Sequence, residues 1–154
     1  MSIRSVVKAL IVHDGQVLLV RRSGGRYGDC YALPGGGQAH YEAMEETLVR
    51  ECLEETGYLV RPIKFLALYE EIREDDYLRK HYPDYTHQVY HVFLCGLESE
   101  RSCPPTAEDY DQVGCEWVGI ERLQDLNLQP VAIREIARAN LEEQVPLFLG
   151  TIRS

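Results

Sequence analysis

Basic charge is scarce in this chain. Its 154 residues carry 16 lysines and arginines against 25 aspartates and glutamates, a formal net charge of −9. That balance argues against broad binding to nucleic acid or an anionic membrane, because phosphate affinity needs a basic surface. It leaves room for a small phosphorylated substrate whose charge a bound metal offsets. The five cysteines (Cys30, Cys52, Cys95, Cys103, Cys115) are odd in number and show no CxxC or Cys/His ligand spacing. This argues against a disulfide framework or a structural zinc site. No apolar run reaches membrane-spanning length, and the start, MSIRSVVKALIVHDGQ, is too short and interrupted for a signal peptide. A cytoplasmic, reduced protein is therefore expected. There are no internal repeats and no low-complexity linker, and 45% of the residues are apolar. The expectation is a single domain over 1–154, large enough for an ordinary core without staples.

What is present is a series of short, valine-rich apolar runs. SVVKALIV (Ser5 to Val12) and QVLLVRR (Gln16 to Arg22) flank His13-Asp14-Gly15, and an Asp-Gly pair favours a tight turn, so they read as a β-hairpin. A glycine-bearing loop over Ser23 to Asp29 follows, then a short strand, Cys30 to Leu33, stopped by Pro34 and the triple glycine Gly35-Gly36-Gly37. The pattern predicts a helix from Ala43 to Thr56. Leu48, Val49, Cys52 and Leu53 make its apolar arc, with Arg50, Glu51 and Glu54 opposite and Glu55 at the border. Glu45 and Glu46 occupy the first turn, where the helix dipole favours anions, and Gly57 is placed for a left-handed cap. Beyond it the pattern predicts a long strand over Tyr58 to Tyr69 and a polar loop to about Tyr85. Strands over His87 to Leu97 and Gly114 to Val118 follow, then a closing helix over Gln129 to Gln144 with Pro130 near its start. Strands interleaved with two helices predict an α/β (α+β) sandwich, a mixed sheet covered on both faces.

The segment RECLEETG, Arg50 to Gly57, puts Glu51, Glu54 and Glu55 within roughly a 100° arc of one helix face. Like charges at i,i+4 disfavour an isolated helix by a few tenths of a kcal/mol. Taken alone, the cluster fits either a solvated acidic face or a cradle for a hard divalent cation, which carboxylate oxygens suit.

The surrounding text narrows the choice. Gly36, five residues, Glu42, seven residues, Arg50-Glu51, two residues, Glu54-Glu55, one residue and Gly57 follow the spacing of the Nudix box, and the segment resembles the Nudix hydrolase family. The N-terminal hairpin, the PGG turn and a late strand carrying Trp117 before a short helix are also arranged as in that family. The resemblance implies a Nudix-like α/β/α sandwich and a Mg²⁺- or Mn²⁺-dependent enzyme. Such an enzyme cleaves the diphosphate linkage of a small nucleoside diphosphate derivative: ADP-ribose or a nucleotide sugar, or a non-standard nucleoside triphosphate. By the same resemblance Glu51 and Glu55 are the principal metal ligands, Glu54 is a further or water-mediated ligand, and the Gly35 carbonyl is a backbone ligand. Gly36 and Gly37 let the backbone approach metal and phosphates closely. Arg50 would orient the carboxylates, while Glu42 would join loop to helix or hold a second ion. Cys52, Tyr41 and Ala39 depart from the usual pattern, and none of them removes a carboxylate the chemistry needs. The alternative is a non-catalytic Nudix domain that senses a nucleotide or binds a protein. Such domains commonly lose box carboxylates, which this chain retains.

In the family the general base is a box glutamate, here Glu54, or a carboxylate on a later loop. That loop is PPTAEDYDQVGCEWV, where Glu108 and Asp111 are the candidates ahead of Asp109, and Asp111 is preferred for its spacing to Trp117. Their plain alternative is an acidic surface loop. Arg21, Arg22 and Arg26 precede the glycine turn and could contact phosphate or simply face solvent. Tyr69, Tyr77, Tyr82, Tyr85 and Tyr90, mixed with Arg73, Arg79 and Lys80, suit base stacking and equally a homodimer interface. His81, His87 and His91 lack metal spacing and read as structural.

Overall fold

The Asp14-Gly15 pair forms the tight turn that its chemistry favours. In the computed structural model, which describes residues 2–136, 141 and 143–154, both have positive φ (48° and 72°). They join β1 (Arg4–His13) to β2 (Gln16–Gly25), with His13 opposite Gln16. β2 continues past Arg22 into the segment expected as a loop and pairs with β3 (Gly28–Ala32), leaving only Arg26 and Tyr27 at the hairpin tip. The triple glycine, expected as a turn, is a short strand, β4 (Gly35–Gly37), antiparallel to β1. Only glycine permits this approach: a Cβ on Gly35 would stand 2.1 Å from the Val7 carbonyl oxygen.

The helix α1 (Met44–Thr56) starts and ends as the sequence indicates. The Glu46 carboxylate accepts from the Ala43 N–H at its N-terminus (2.7 Å). Its burial differs from expectation. Thr47, Leu48, Cys52, Glu55 and Thr56 face inward, whereas Leu53 is 37% exposed. The helix is rotated so that Glu55, placed at the border of the polar arc, points into the protein.

β5 (Tyr58–Ile72) is longer than expected, and the following polar segment holds a short helix, α2 (Asp76–His81), capped by the Asp75 side chain, and a 3-10 turn at Pro83–Tyr85. β6 (His87–Ser102) and β7 (Gln112–Gly119) follow. Of the expected closing helix, α3 (Ile133–Ile136) is described; positions 137–140 and 142 lie outside the described residues. A last strand, β8 (Leu147–Arg153), pairs with β5 and was not expected.

The strands form a mixed sheet in the order β3-β2-β1-β6-β5-β8, with β4 added to β1 and β7 to β2. β1–β6 and β5–β8 are parallel, and the other pairs are antiparallel. One edge of β1 is bound by β4 over Val6 to Lys8 and by β2 only at Val12 and His13. The two neighbours therefore splay apart and open a cleft beside Lys8. On one face Leu48 and Cys52 of α1 pack against Val7, Ala9, Ile11 and Val60. On the other, Leu10, Leu19, Leu66 and Val92 pack against Leu123, Ile133 and Ile136. This is the α/β layering expected. Among the described residues no helix is long and apolar enough to cross a membrane, and all five cysteines are free.

Gly57 ends α1 in the left-handed conformation (φ 76°), and its carbonyl accepts from the Cys103 N–H (2.9 Å). A Cβ there would lie 1.6 Å from the Cys103 carbonyl oxygen, whereas Gly24, at a similar φ of 75°, has nothing within 4 Å. Gly24→Ala should lose about 1–2 kcal/mol, from backbone conformation alone. Gly57→Ala should lose a further ~1–3 kcal/mol from the clash. Urea denaturation reads the difference, and equal losses would show that the 103 segment yields freely.

Candidate active site

Arg50 gathers the box carboxylates. Its guanidinium donates to both oxygens of Glu42 (2.8 and 3.0 Å), to Glu51 (2.8 Å), to Glu54 (3.4 Å) and to the Gly37 carbonyl (3.4 Å). A planar fork of five donors can satisfy several carboxylates at once, which a lysine could not. Arg50 holds the Glu42 carboxyl down at about pKa 2, and Arg50 is itself pushed further up. Glu42 also accepts from the Thr47 hydroxyl (2.9 Å) and the Ala39 N–H (3.1 Å), so it ties the glycine-rich segment to the helix. Gly36 lies under Glu51, where a Cβ would come 2.5 Å from the carboxylate carbon.

Glu55 lies behind this cluster, 1% exposed. One of its oxygens accepts from the Gly35 N–H (3.0 Å), and the other is buried with no hydrogen-bond partner. Desolvation raises its pKa to about 8. Lys8 faces it from β1 and donates to the Gly35 carbonyl (3.3 Å), while burial lowers the Lys8 pKa. Lys8 was not singled out from the sequence. The available signal was a lone cation in the middle of an otherwise apolar strand.

The later loop docks on the end of α1. The Thr106 and Ala107 N–H groups donate to the Glu54 carbonyl (2.9 and 3.0 Å), and the Gln112 side chain donates to the Glu55 carbonyl (3.0 Å). This brings Asp109 against both Glu55 and Arg22, with Arg22 Nη2 3.1 Å from Asp109. Asp111 sits 3.7 Å from Arg22 Nε and lines a cavity with it. Glu108 is exposed and makes its resolved electrostatic contact with Cys115 rather than with the box. Arg22 points into the site. Arg21 is exposed beside Ser23 and Asp29 and does not line the cavity that Arg22 lines, and Arg26 lies at the hairpin tip beside Tyr27.

A cavity of about 500 Å³ continues from this point, with Lys8, Arg22 and Asp111 at the box end and Tyr69, Tyr90, Glu71 and Arg73 farther along. Of the five tyrosines, Tyr69 and Tyr90 stack in parallel (4.5 Å between ring centres) in its wall, whereas Tyr77, Tyr82 and Tyr85 lie exposed outside it. His81, His87 and His91 are engaged with the Tyr77 carbonyl, Glu70 and the Val6 carbonyl.

The donor set fits a hard divalent cation. Glu51, Glu54, Glu55 and the Gly35 carbonyl offer oxygens only, and one Glu55 oxygen is buried without a partner. Among the described residues, three ligand atoms already within 4.8 Å of one another occur at His13, Asp14 and Glu100, a surface group at the β1–β2 turn. The box carboxylates are instead spread around Arg50.

A carboxyl whose folded pKa is raised from 4.5 to about 8 increasingly opposes folding as pH rises between those values. In chelator, Glu55→Gln should therefore melt close to wild type at about pH 5 and above it at about pH 8.5. Added Mn²⁺ should stabilise wild type and leave the variant nearly unmoved. A gap independent of pH in differential scanning fluorimetry would refute the desolvated carboxyl.

Comparison with known proteins agrees with this architecture. The family model described as NUDIX domain matches residues 2–139. A protein from Escherichia coli named Phosphatase NudJ is 30% identical over 138 residues, covering 86% of this chain and 80% of that protein. An ADP-ribose pyrophosphatase from Methanocaldococcus jannaschii is 36% identical over 69 residues, 45% of this chain and 41% of that protein. The crystal structure of a NUDIX hydrolase from Nitrosomonas europaea superposes with a TM-score of 0.75 at 18% identity, over 100% of this chain and 81% of that one. The chain belongs to the NUDIX family and is a pyrophosphohydrolase of that family.

Proposed function

We propose that residues 1–154 act as one catalytic domain that uses Mg²⁺ or Mn²⁺ to hydrolyse the diphosphate linkage of a small nucleoside diphosphate derivative. That class includes ADP-ribose, nucleotide sugars and non-standard nucleoside triphosphates. The observation that carries this reading is that Lys8, which donates to the Gly35 carbonyl of the box, and Arg22, paired with Asp109, also line the box end of a cavity of about 500 Å³. A polyanionic linkage at that end and an organic group in the remainder match the division of charge and apolar surface, and the volume suits a small ligand. The name of the archaeal relative, ADP-ribose pyrophosphatase, supports the same substrate class. Five free cysteines suit the reduced cytoplasm.

Glu51, Glu55, Glu54 and the Gly35 carbonyl would hold the cation, which when bound supplies charge for the phosphate oxygens and acidifies a water. Arg22 adds fixed positive charge at the box end of the cavity, with the Lys8 amine beside it, where negative charge develops on the leaving phosphate. Arg50 keeps Glu42 ionised and Glu51 oriented. A proton acceptor must stand at the box rather than deep in the cavity. The loop carboxylate in contact with Glu55 is Asp109, so the geometry favours Asp109 over Asp111, the choice that spacing to Trp117 suggested. Asp111 is better placed to orient Arg22. Glu54, 35% exposed on the helix face, remains the box residue available for the same role.

Glu51→Gln should lower kcat/KM by about 10²-fold or more, roughly 2.7 kcal/mol of transition-state stabilisation, with the fold intact by circular dichroism. Unchanged turnover would exclude Glu51 from the metal set. Asp109→Asn should lower kcat by about 10²–10⁴-fold, as expected for a general base, while Asp111→Asn should act mainly on KM. The reverse ranking in steady-state kinetics would return the role to Asp111.

A further inference from the structure

We propose that Glu71 and Arg73, at the end of the cavity away from the box, read a guanine-type base. Glu71 would accept from the ring N1–H and the exocyclic N2 amino group, and Arg73 would donate to O6. The inference rests on the reading that the box end of the same cavity holds the diphosphate.

Glu71 is a cavity-lining carboxylate with a side chain only 12% exposed. One oxygen accepts from the Tyr90 hydroxyl (3.1 Å), and the other faces Arg73 Nε at 3.6 Å, beyond hydrogen-bond length. An ionised carboxylate has about four lone-pair sites, so acceptor capacity is left over on both oxygens. Arg73 Nε is buried and has no hydrogen-bond partner. Nε faces the Glu71 oxygen and is closed to a ligand, so the pair holds the guanidinium beside an acceptor with spare capacity, and both side chains line one cavity. A buried acceptor short of donors is unfavourable, and a ligand with the complementary edge removes the penalty.

The network behind the pair fixes its polarity. Arg4 donates to Gln88 (2.9 Å), Gln88 donates to the Tyr90 hydroxyl (3.0 Å), and Tyr90 donates to Glu71. Burial and the Glu71 charge push the Tyr90 phenol up, so it stays a donor. The Arg73 backbone is held by its N–H on the Thr86 carbonyl and by Arg79 Nε on its own carbonyl, both at 2.8 Å.

The order of atoms selects the base. Arg73 lies next to one Glu71 oxygen, and Tyr90 binds the other. Guanine presents O6, N1–H and N2–H₂ in sequence along one edge, matching Arg73, the near oxygen and the far oxygen. Adenine has a single amino group beside an acceptor nitrogen, and cytosine likewise. Uracil would bring a carbonyl against the far carboxylate oxygen. The span is also suitable. Glu71 lies two strands from Lys8, and their β6 partners Gln88 and Val92 are four residues apart. That is on the order of 16 Å between backbones, at about 4.8 Å per strand and 3.3 Å per residue, before both side chains reach inward. A nucleoside diphosphate fits between them, and exposed Tyr27 lines the wall with a ring face for stacking.

The test is isothermal titration of the full chain, in chelator, with GDP, IDP, ADP, UDP and CDP. GDP should bind about 10-fold or more tighter than ADP, UDP or CDP, because a site built for hydrogen bonds rejects bases that leave them unpaired. IDP, which lacks the N2 amino group, should fall between. Glu71→Gln, which keeps shape but turns one oxygen into a donor, should abolish the preference for GDP over ADP. Tyr90→Phe should retain it in weakened form and serves as the control for a variant that misfolds. ADP binding as tightly as GDP, or none of the five binding, would overturn the base assignment. A GDP preference in a protein that hydrolyses no diphosphate would overturn the enzymatic reading alone.

Discussion

The hydrogen bond from the Gly35 N–H to the buried Glu55 carboxylate joins the two elements on which the site hangs. It ties β4, already paired with β1, to the end of α1 that turns a glutamate inward. The contact needs a glycine, because the Val7 carbonyl occupies the space of any side chain, and it needs a side-chain acceptor, because the amide must be satisfied in a desolvated place. Burying Glu55 is unfavourable by itself, as its raised pKa shows. Lys8 alongside and the Gly35 N–H are the compensations present, and the second oxygen stays buried without a partner.

Charge elsewhere in the site is balanced in the same way. Arg50 reaches four acceptor groups and keeps apart carboxylates that would otherwise repel along one helix face. Arg22 does the same for Asp109 and Asp111 on the opposite wall. Part of the chain's acidic surplus is thus gathered and held by arginines around this cleft. The cavity beyond is lined by aromatic and aliphatic groups together with Arg26, Gln129, Glu71 and Arg73. A desolvated carboxyl lies at one end and a carboxylate with spare acceptor capacity at the other.

Much of this was legible in the residues. The Asp-Gly turn, the span of α1 with its Gly57 cap, and the spacing of Glu42, Arg50, Glu51, Glu54 and Glu55 each rest on local chemistry that a short window contains. β4, α2 and β8 were not. Three glycines carry no periodicity, six residues of helix carry too little, and the pairing of β8 with β5 joins segments some eighty positions apart. The apolar arc of α1 was also misjudged at Leu53 and Glu55. Periodicity finds a helix face, but the sheet beneath decides how far that face is rotated.

By itself, the sequence determined the hairpin, the helix and the identity of a metal-suited acidic cluster, because each depends on neighbours within a few turns. Tertiary structure decided which of those carboxylates is buried, which loop aspartate touches it, and that Lys8 belongs to the site. It also decided that Glu71, Arg73 and Tyr90 share a cavity with the box. Those relations arise where β2 and β4 part along β1 and where β5 and β6 run side by side beyond the opening. A linear pattern cannot express them, because desolvation and partner choice depend on what arrives from distant strands.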